Sequence, residues 1–330
     1  MTDEILTRAE SETQTFGNAE EKSERKKRKP WTGNDWVLVG MASLSVIFLA
    51  VFAYAPLYGL VLAFKDGDGW LNISQAISVA DWCGLDNFVA FFEDPDFWNI
   101  ILNTLGLNLL QLLINFPLPI LFAVFTAELL SDHYKKFVQT VTFFPHFISW
   151  AVYGGIFLSL FALDTGLPAL LQQWGLTEYK VDILGDPDYF WWIIIGTSLL
   201  KGRGWGSVIY VAAIAAIPQE LYEAAKMDGA NRFHKIVYIT IPSIAPTITL
   251  FFILSVSGLL NNGIEHLLVF QNTSNIERSE VLDTYIYKYG IPDFRYSYAT
   301  AIGLIKSIVA LFLLVSGNWI CKKISGKGIY

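Results

Sequence analysis

The residues of this chain best equipped for chemistry stand where a lipid-embedded protein tolerates them least. The stretch "KGRGWGS" sets Lys201, Arg203 and Trp205 inside an apolar run that begins near Tyr189. Two bases at that depth are costly unless they face a water-filled cavity or find partners. One reading gives them a ligand: the Trp205 indole offers a face on which a sugar ring stacks, and Lys201 or Arg203 meets an anionic or hydroxyl-rich substrate. The other reading has the bases reach outward along their apolar stems or touch a neighbouring subunit. Trp150 and Tyr153 in "PHFISWAVYGG", and Asn261 and Asn262 in "LLNNGIEH", are further candidates for lining a polar route. Amides suit that task because they bond hydroxyls as both donor and acceptor, while aromatics in such runs serve packing equally well. His133, His146, His234 and His266 are scattered, and Cys83 and Cys321 lack ligand-spaced companions, so neither a metal site nor a catalytic constellation is indicated.

A second stretch reads as mechanical rather than chemical. "PQELYEAAKMDGANRFHKIVYITIP", Pro218 to Pro242, is polar and mixed in charge between two apolar runs. Pro218 is a good first residue for a new helix, because its missing N–H is not needed there. From Gln219 to Asp228 the residues favour helix, and Leu221, Ala224, Ala225 and Asp228 fall on one face with two alanines at its centre. Gly229 permits a left-handed exit. Ala230 to Tyr238 is expected to form a second short helix and Pro242 to open the next apolar run, giving a helix-turn-helix knuckle.

The elements that must position these residues follow from composition. Of 330 residues, 53% are hydrophobic and 16% charged, with a mean hydropathy of +0.43. That is the profile of an all-α, polytopic membrane protein. Six runs are long enough to cross a hydrocarbon core: Trp36 to Phe64, Trp98 to Thr126, Thr140 to Leu163, Tyr189 to Ile217, Pro242 to Asn262 and Ser297 to Ile320. "FPLP" (Phe116 to Pro119) is expected to kink the second, and the glycines of "KGRGWGS" to break the fourth. Bases gather in "KSERKKRKP", at Lys135 and Lys136, at Lys226, Arg232 and Lys235, and at Lys322, Lys323 and Lys327, all on one side of the six crossings; the other side is acidic. The positive-inside rule then puts both termini and the knuckle in the cytoplasm. Residues 1–35 read as a disordered basic tail without a cleavable signal pattern, and 36–330 as the membrane domain, with its cytoplasmic coupling loop at 218–242. The tail's bases fit a topology anchor near anionic lipid, and nucleic-acid binding gains no support.

The knuckle resembles the cytoplasmic loop of the permeases of ATP-binding-cassette (ABC) importers, whose pattern is EAA, three residues, G, nine residues, I, one residue, L, P. The chain has Glu223, Ala224, Ala225, then Gly229, then Ile239 and Pro242, with Ile241 in place of the Leu. "PLYGLVLAFKD", "GLDNFVAFFEDPDFWNIILNT", "FPLPILFAVFTAEL" and "YSYATAIGLIKS" are similar to the oligosaccharide and polysaccharide branch of that family, the LplB-type permeases. The resemblance implies the six-helix type I importer fold in a bacterial cytoplasmic membrane. It also implies a second, homologous permease, two ATPase subunits that bind ATP and Mg, and an external solute-binding protein or lipoprotein. Glu223 and Asp228 would hold the register of the docked knuckle, Ala224 and Ala225 would allow close approach, and the substrate would be an oligosaccharide carrying uronates. The chain lacks the GxxxxGK[ST] loop that cradles nucleotide phosphates, so ATP hydrolysis would fall to a partner. A secondary, ion-coupled transporter is the alternative; it calls for acidic residues inside spans and an internal repeat, whereas Glu128 and Glu265 lie near span ends.

Overall fold

A computed structural model describes residues 33–325. The regular structure among these residues is helical, joined by loops and turns, apart from one isolated bridge between Lys65 and Trp82. Contacts divide the chain after Tyr58. In the first unit, α1 (Gly33–Leu49) is apolar on every face, as suits a helix in lipid, and widens into a π turn over Ala50–Tyr54. The basic tail expected over 1–35 lies outside the described residues except for its last three.

The second unit carries α2 (Phe97–Asn115), α3 (Pro117–Ala127), α4 (Asp132–Phe143), α5 (Trp150–Leu160), α6 (Pro187–Ala215), α7 (Gln219–Met227), α8 (Arg232–Lys235), α9 (Ile241–Ser257), α10 (Ile264–Phe270), α11 (Leu282–Gly290) and α12 (Tyr296–Ser325). Among the described residues, four helical stretches are long and apolar enough to cross a membrane: Asp35–Phe64, Phe97–Ala127, Arg232–Ser257 and Tyr296–Lys323. Counting each of two bent helix pairs as one span brings the number to 6, the number of apolar runs in the sequence.

The details depart from the sequence expectation in three places. The third span is not one rod: α4 and α5 meet at 98°. Pro145 sits in a single tight turn, Phe144–Phe147, and Ser149 then starts α5 afresh by accepting the Val152 N–H at 3.3 Å. The fourth span is the reverse case, for α6 runs unbroken through "KGRGWGS". Its glycines serve contact instead of irregular backbone: a Cβ on Gly204 would strike the Thr142 carbonyl of α4, and one on Gly206 would rest on Pro119 of α3 at 3.4 Å. Between helices in lipid there is little hydrophobic drive, because the tails are as apolar as leucine, so this closeness of fit is what holds α3, α4 and α6 together. Finally, the second helix of the knuckle is no separate element. Lys235 passes through a π turn, Ile236–Thr240, straight into α9.

Buried side chains gather in three clusters. Leu107, Ile194 and Phe270 join α2, α6 and α10; Phe91, Ile100, Tyr285 and Ile302 join α2, α11 and α12; Ile120, Tyr210 and Ile244 join α3, α6 and α9. Within the second cluster, the Asp94 carboxylate accepts from the Tyr285 hydroxyl at 2.5 Å and the Tyr298 hydroxyl at 3.2 Å. Burial, and then the bond to Asp94, push the Tyr285 phenol well above its ordinary value.

Candidate functional site

Two sites emerge from this frame. The first is the knuckle. α6 and α7 meet at 69°, with Pro218 in extended backbone at the start of α7. α7 ends in a Schellman arrangement: Ala230 N–H reaches the Ala225 carbonyl at 2.9 Å and Gly229 N–H the Lys226 carbonyl at 3.1 Å, with Gly229 at φ +79°. Asn231 caps α8 by accepting the His234 N–H at 2.8 Å. Tyr222 and Ala225, three residues apart, turn inward, and the Tyr222 hydroxyl bonds Thr240 at 2.9 Å. Glu223, Ala224, Asp228 and Gly229 are exposed, while Ile239 is half-buried and Pro242 lies in the first turn of α9. Met227 is 88% exposed and Leu221 48%. With Ala224 between them, these two side chains make an apolar strip on the outer face of α7.

The second site is a cavity of about 730 Å³ between α2, α3, α6 and α9. Its walls are largely apolar, with Phe116, Trp205, Tyr210 and Phe251 beside aliphatic side chains such as Leu112 and Ile209, and they carry four amides, Asn108, Gln111, Asn115 and Asn261. Among the described residues no charged side chain lines it. Trp205 is held by stacking on His146, with ring centroids 4.7 Å apart and planes 5° from parallel, and by the edge of Phe147.

The remaining sequence candidates fall elsewhere. Lys201 is buried and turned to the bend between α4 and α5, where its ammonium donates to the carbonyls of Pro145 at 3.0 Å, His146 at 2.9 Å and Ile148. Those carbonyls belong to the C-terminal end of a helix, whose dipole is negative, and this is how a cation with no carboxylate partner can be buried. Trp150 and Tyr153 belong to the same place: the Lys201 ammonium lies 5.0 Å from the Trp150 ring centroid and 5.6 Å from that of Tyr153. Trp150 in turn stacks on His266 at 3.8 Å, and Tyr153 donates to the Thr197 carbonyl at 3.2 Å. Arg203 is not in the lining of the cavity, and its buried Nε has no hydrogen-bond partner among the described residues. Asn262 borders a smaller cavity of about 500 Å³, where its N–H donates to Asp283 at 2.6 Å and Asp283 is also ion-paired with Lys306. Among the described residues no group of three or more His, Cys, Asp or Glu is placed to hold a metal.

Asn108, Gln111 and Asn115 were not among the sequence candidates. Their only signal is spacing, three polar residues on one face of a leucine-rich helix.

Comparison with known proteins agrees with this architecture. The family model described as "binding-protein-dependent transport system inner membrane component" matches residues 98–326. Protein LplB of Bacillus subtilis (strain 168) is 38% identical over 285 residues, covering 86% of this chain and 88% of its own. The polygalacturonan/rhamnogalacturonan transport system permease protein YteP of the same organism is 38% identical over 284 residues, covering 86% and 87%. Among solved structures, a chain of a bacterial alginate ABC transporter, in complex with an alginate pentasaccharide-bound periplasmic protein, superposes with a TM-score of 0.80 at 35% identity, covering 90% of this chain and 97% of that one. The helices, the knuckle and the matched span converge, and the chain belongs to the binding-protein-dependent transport system inner membrane components, the permeases of ABC transporters.

Proposed function

We propose that this permease forms, with a second permease, the route by which an acidic oligosaccharide is imported. In this reading two separate ATPase subunits bind ATP and Mg and drive the cycle, and an external solute-binding protein delivers the substrate. The observation that carries it is the knuckle, where the Glu223–Ala224–Ala225, Gly229 and Pro242 pattern builds a firmly capped helix with a bare apolar face. Such a face fits a groove on an ATPase, with Glu223 and Asp228 free to make polar contacts along its edge. The distribution of bases puts the knuckle and both termini in the cytoplasm.

The substrate class rests on the cavity and on the relatives. Amides beside aromatic side chains suit hydroxyl-rich rings; two of the more similar proteins name acidic cargoes, polygalacturonan/rhamnogalacturonan and alginate, and relatives of 27% identity name lactose and arabinooligosaccharides. Trp205 and Asn261 are the two sequence candidates that border this route.

Ala224→Trp tests the coupling role better than a change at Ala225, because Ala224 is exposed whereas Ala225 faces the body of the knuckle. In the reconstituted importer, Ala224→Trp should abolish uptake and substrate-stimulated ATP hydrolysis while the helices stay folded by circular dichroism. Unchanged uptake would remove the knuckle from the mechanism.

A further inference from the structure

The cavity wall on α2 carries amides in a pattern no other wall repeats. Asn108, Gln111 and Asn115 stand at i, i+3 and i+7, so they share one helix face and form a ladder about 10 Å long. Their bonding is incomplete. Asn108 commits its donor to the Thr104 carbonyl at 2.7 Å, and Asn115 donates to Ser198 at 2.7 Å but leaves a buried Oδ1 without a partner. The Gln111 side chain makes no hydrogen bond among the described residues, although it is half-buried against the cavity. Trp205 borders the same cavity, with one face of its indole covered by His146.

The free Gln111 amide, flanked by Asn108 and Asn115 on a wall that carries no charged side chain among the described residues, recognises hydroxyls and ignores net charge. The two bases that could have met a carboxylate are turned elsewhere: Lys201 is engaged by the bend, and Arg203 is absent from the lining. We infer that the α2 ladder is a hydroxyl-reading track for a saccharide, blind to charge, so that selection between acidic and neutral chains is made outside this cavity. The inference rests on the carbohydrate reading above and sharpens it, for it assigns this subunit to the neutral part of an acidic substrate.

The test uses the assembled importer, with its partner permease and ATPase subunits, in lipid nanodiscs without the solute-binding protein. Ligand-observed NMR titrations compare trigalacturonate with the same trisaccharide after its carboxyls are reduced to alcohols. The wild type should bind both within about threefold of each other, since no charge-assisted bond separates them. Gln111→Leu should weaken both alike, by about 2- to 10-fold for one lost hydrogen bond. Gln111→Lys should create a preference for the uronide of about 10-fold or more. A wild type that already prefers the uronide by tenfold, or a Gln111→Leu importer that binds both as the wild type does, overturns the track. A wild-type importer that binds neither saccharide overturns the carbohydrate reading, and the track with it.

Discussion

Replacing Lys201 with methionine keeps an unbranched stem, one atom shorter, and removes the ammonium that satisfies the bend between α4 and α5. Three carbonyls, those of Pro145, His146 and Ile148, then lose their shared donor. No water reaches hydrocarbon depth to replace it. The Pro145 carbonyl keeps the Ile148 N–H at 3.3 Å, but those of His146 and Ile148 are left bare; a buried polar group left unsatisfied costs about 1–3 kcal/mol, so the two cost roughly 2–6 kcal/mol. Against this, methionine recovers the desolvation of a buried ammonium, an effective several kcal/mol. The carbonyls keep a net excess of about 3 kcal/mol, because the helix-end dipole and the Trp150 and Tyr153 rings already offset part of the ammonium's penalty. That excess corresponds to a local opening constant raised about 100-fold. Amide hydrogen exchange on the intact importer in nanodiscs reads it directly: residues 144–153 should lose about two decades of protection while α12 stays as in the wild type. Lys201→Arg should fall between, since a planar fork cannot converge on three carbonyls as a rotating ammonium does. Unaltered protection over 144–153 in Lys201→Met would refute the argument that this lysine holds the bend.

Further outcomes follow from the same geometry. Gly204→Ala drives a methyl into the Thr142 carbonyl and should lower the stability of the assembled permease by about 1–3 kcal/mol, seen as a lower melting temperature by scanning calorimetry. At Gly229, φ +79° makes alanine costlier than glycine by about 1–2 kcal/mol, so Gly229→Ala should loosen ATPase attachment in pull-downs while Gly229→Asn largely preserves it. Tyr285 is held neutral, with its phenol pushed above the ordinary value of 10.0. Its stabilising share is complete below that pH and is lost as pH rises above it, because the unfolded chain ionises first. Thermal melts from pH 8 to 11 should therefore show an alkaline decline in the wild type that is reduced in Tyr285→Phe.

Legibility in the sequence followed the range of the cause. The knuckle could be read because its determinants are local: Pro218 opens a helix, Gly229 closes it, and both act within a few residues. The apolar runs could be read for the same reason. The bend at 144–149 could not, because its stabilising partner is Lys201, more than fifty residues away, and Pro145 alone signals only a kink. "KGRGWGS" misled in the opposite sense: three glycines weaken an isolated helix, yet contact with α3 and α4 outweighs that propensity and keeps α6 straight through them. Trp205 and Asn261 were found from residue type, whereas Gln111 and Asn115 disappear into a run of leucines until α6 and α9 close the space in front of them.

The wide turn at Ile236–Thr240 welds the knuckle to α9, so residues 232–257 behave as one crank. From Arg232 to Ser255 its arm is about 35 Å, and a swing of about 5° at the handle carries Ser255, on the cavity wall, by about 3 Å. If the knuckle is driven, small strokes at one end of this rod would become opening or narrowing at the other, passing on the way through Pro246, where α9 lacks one backbone N–H.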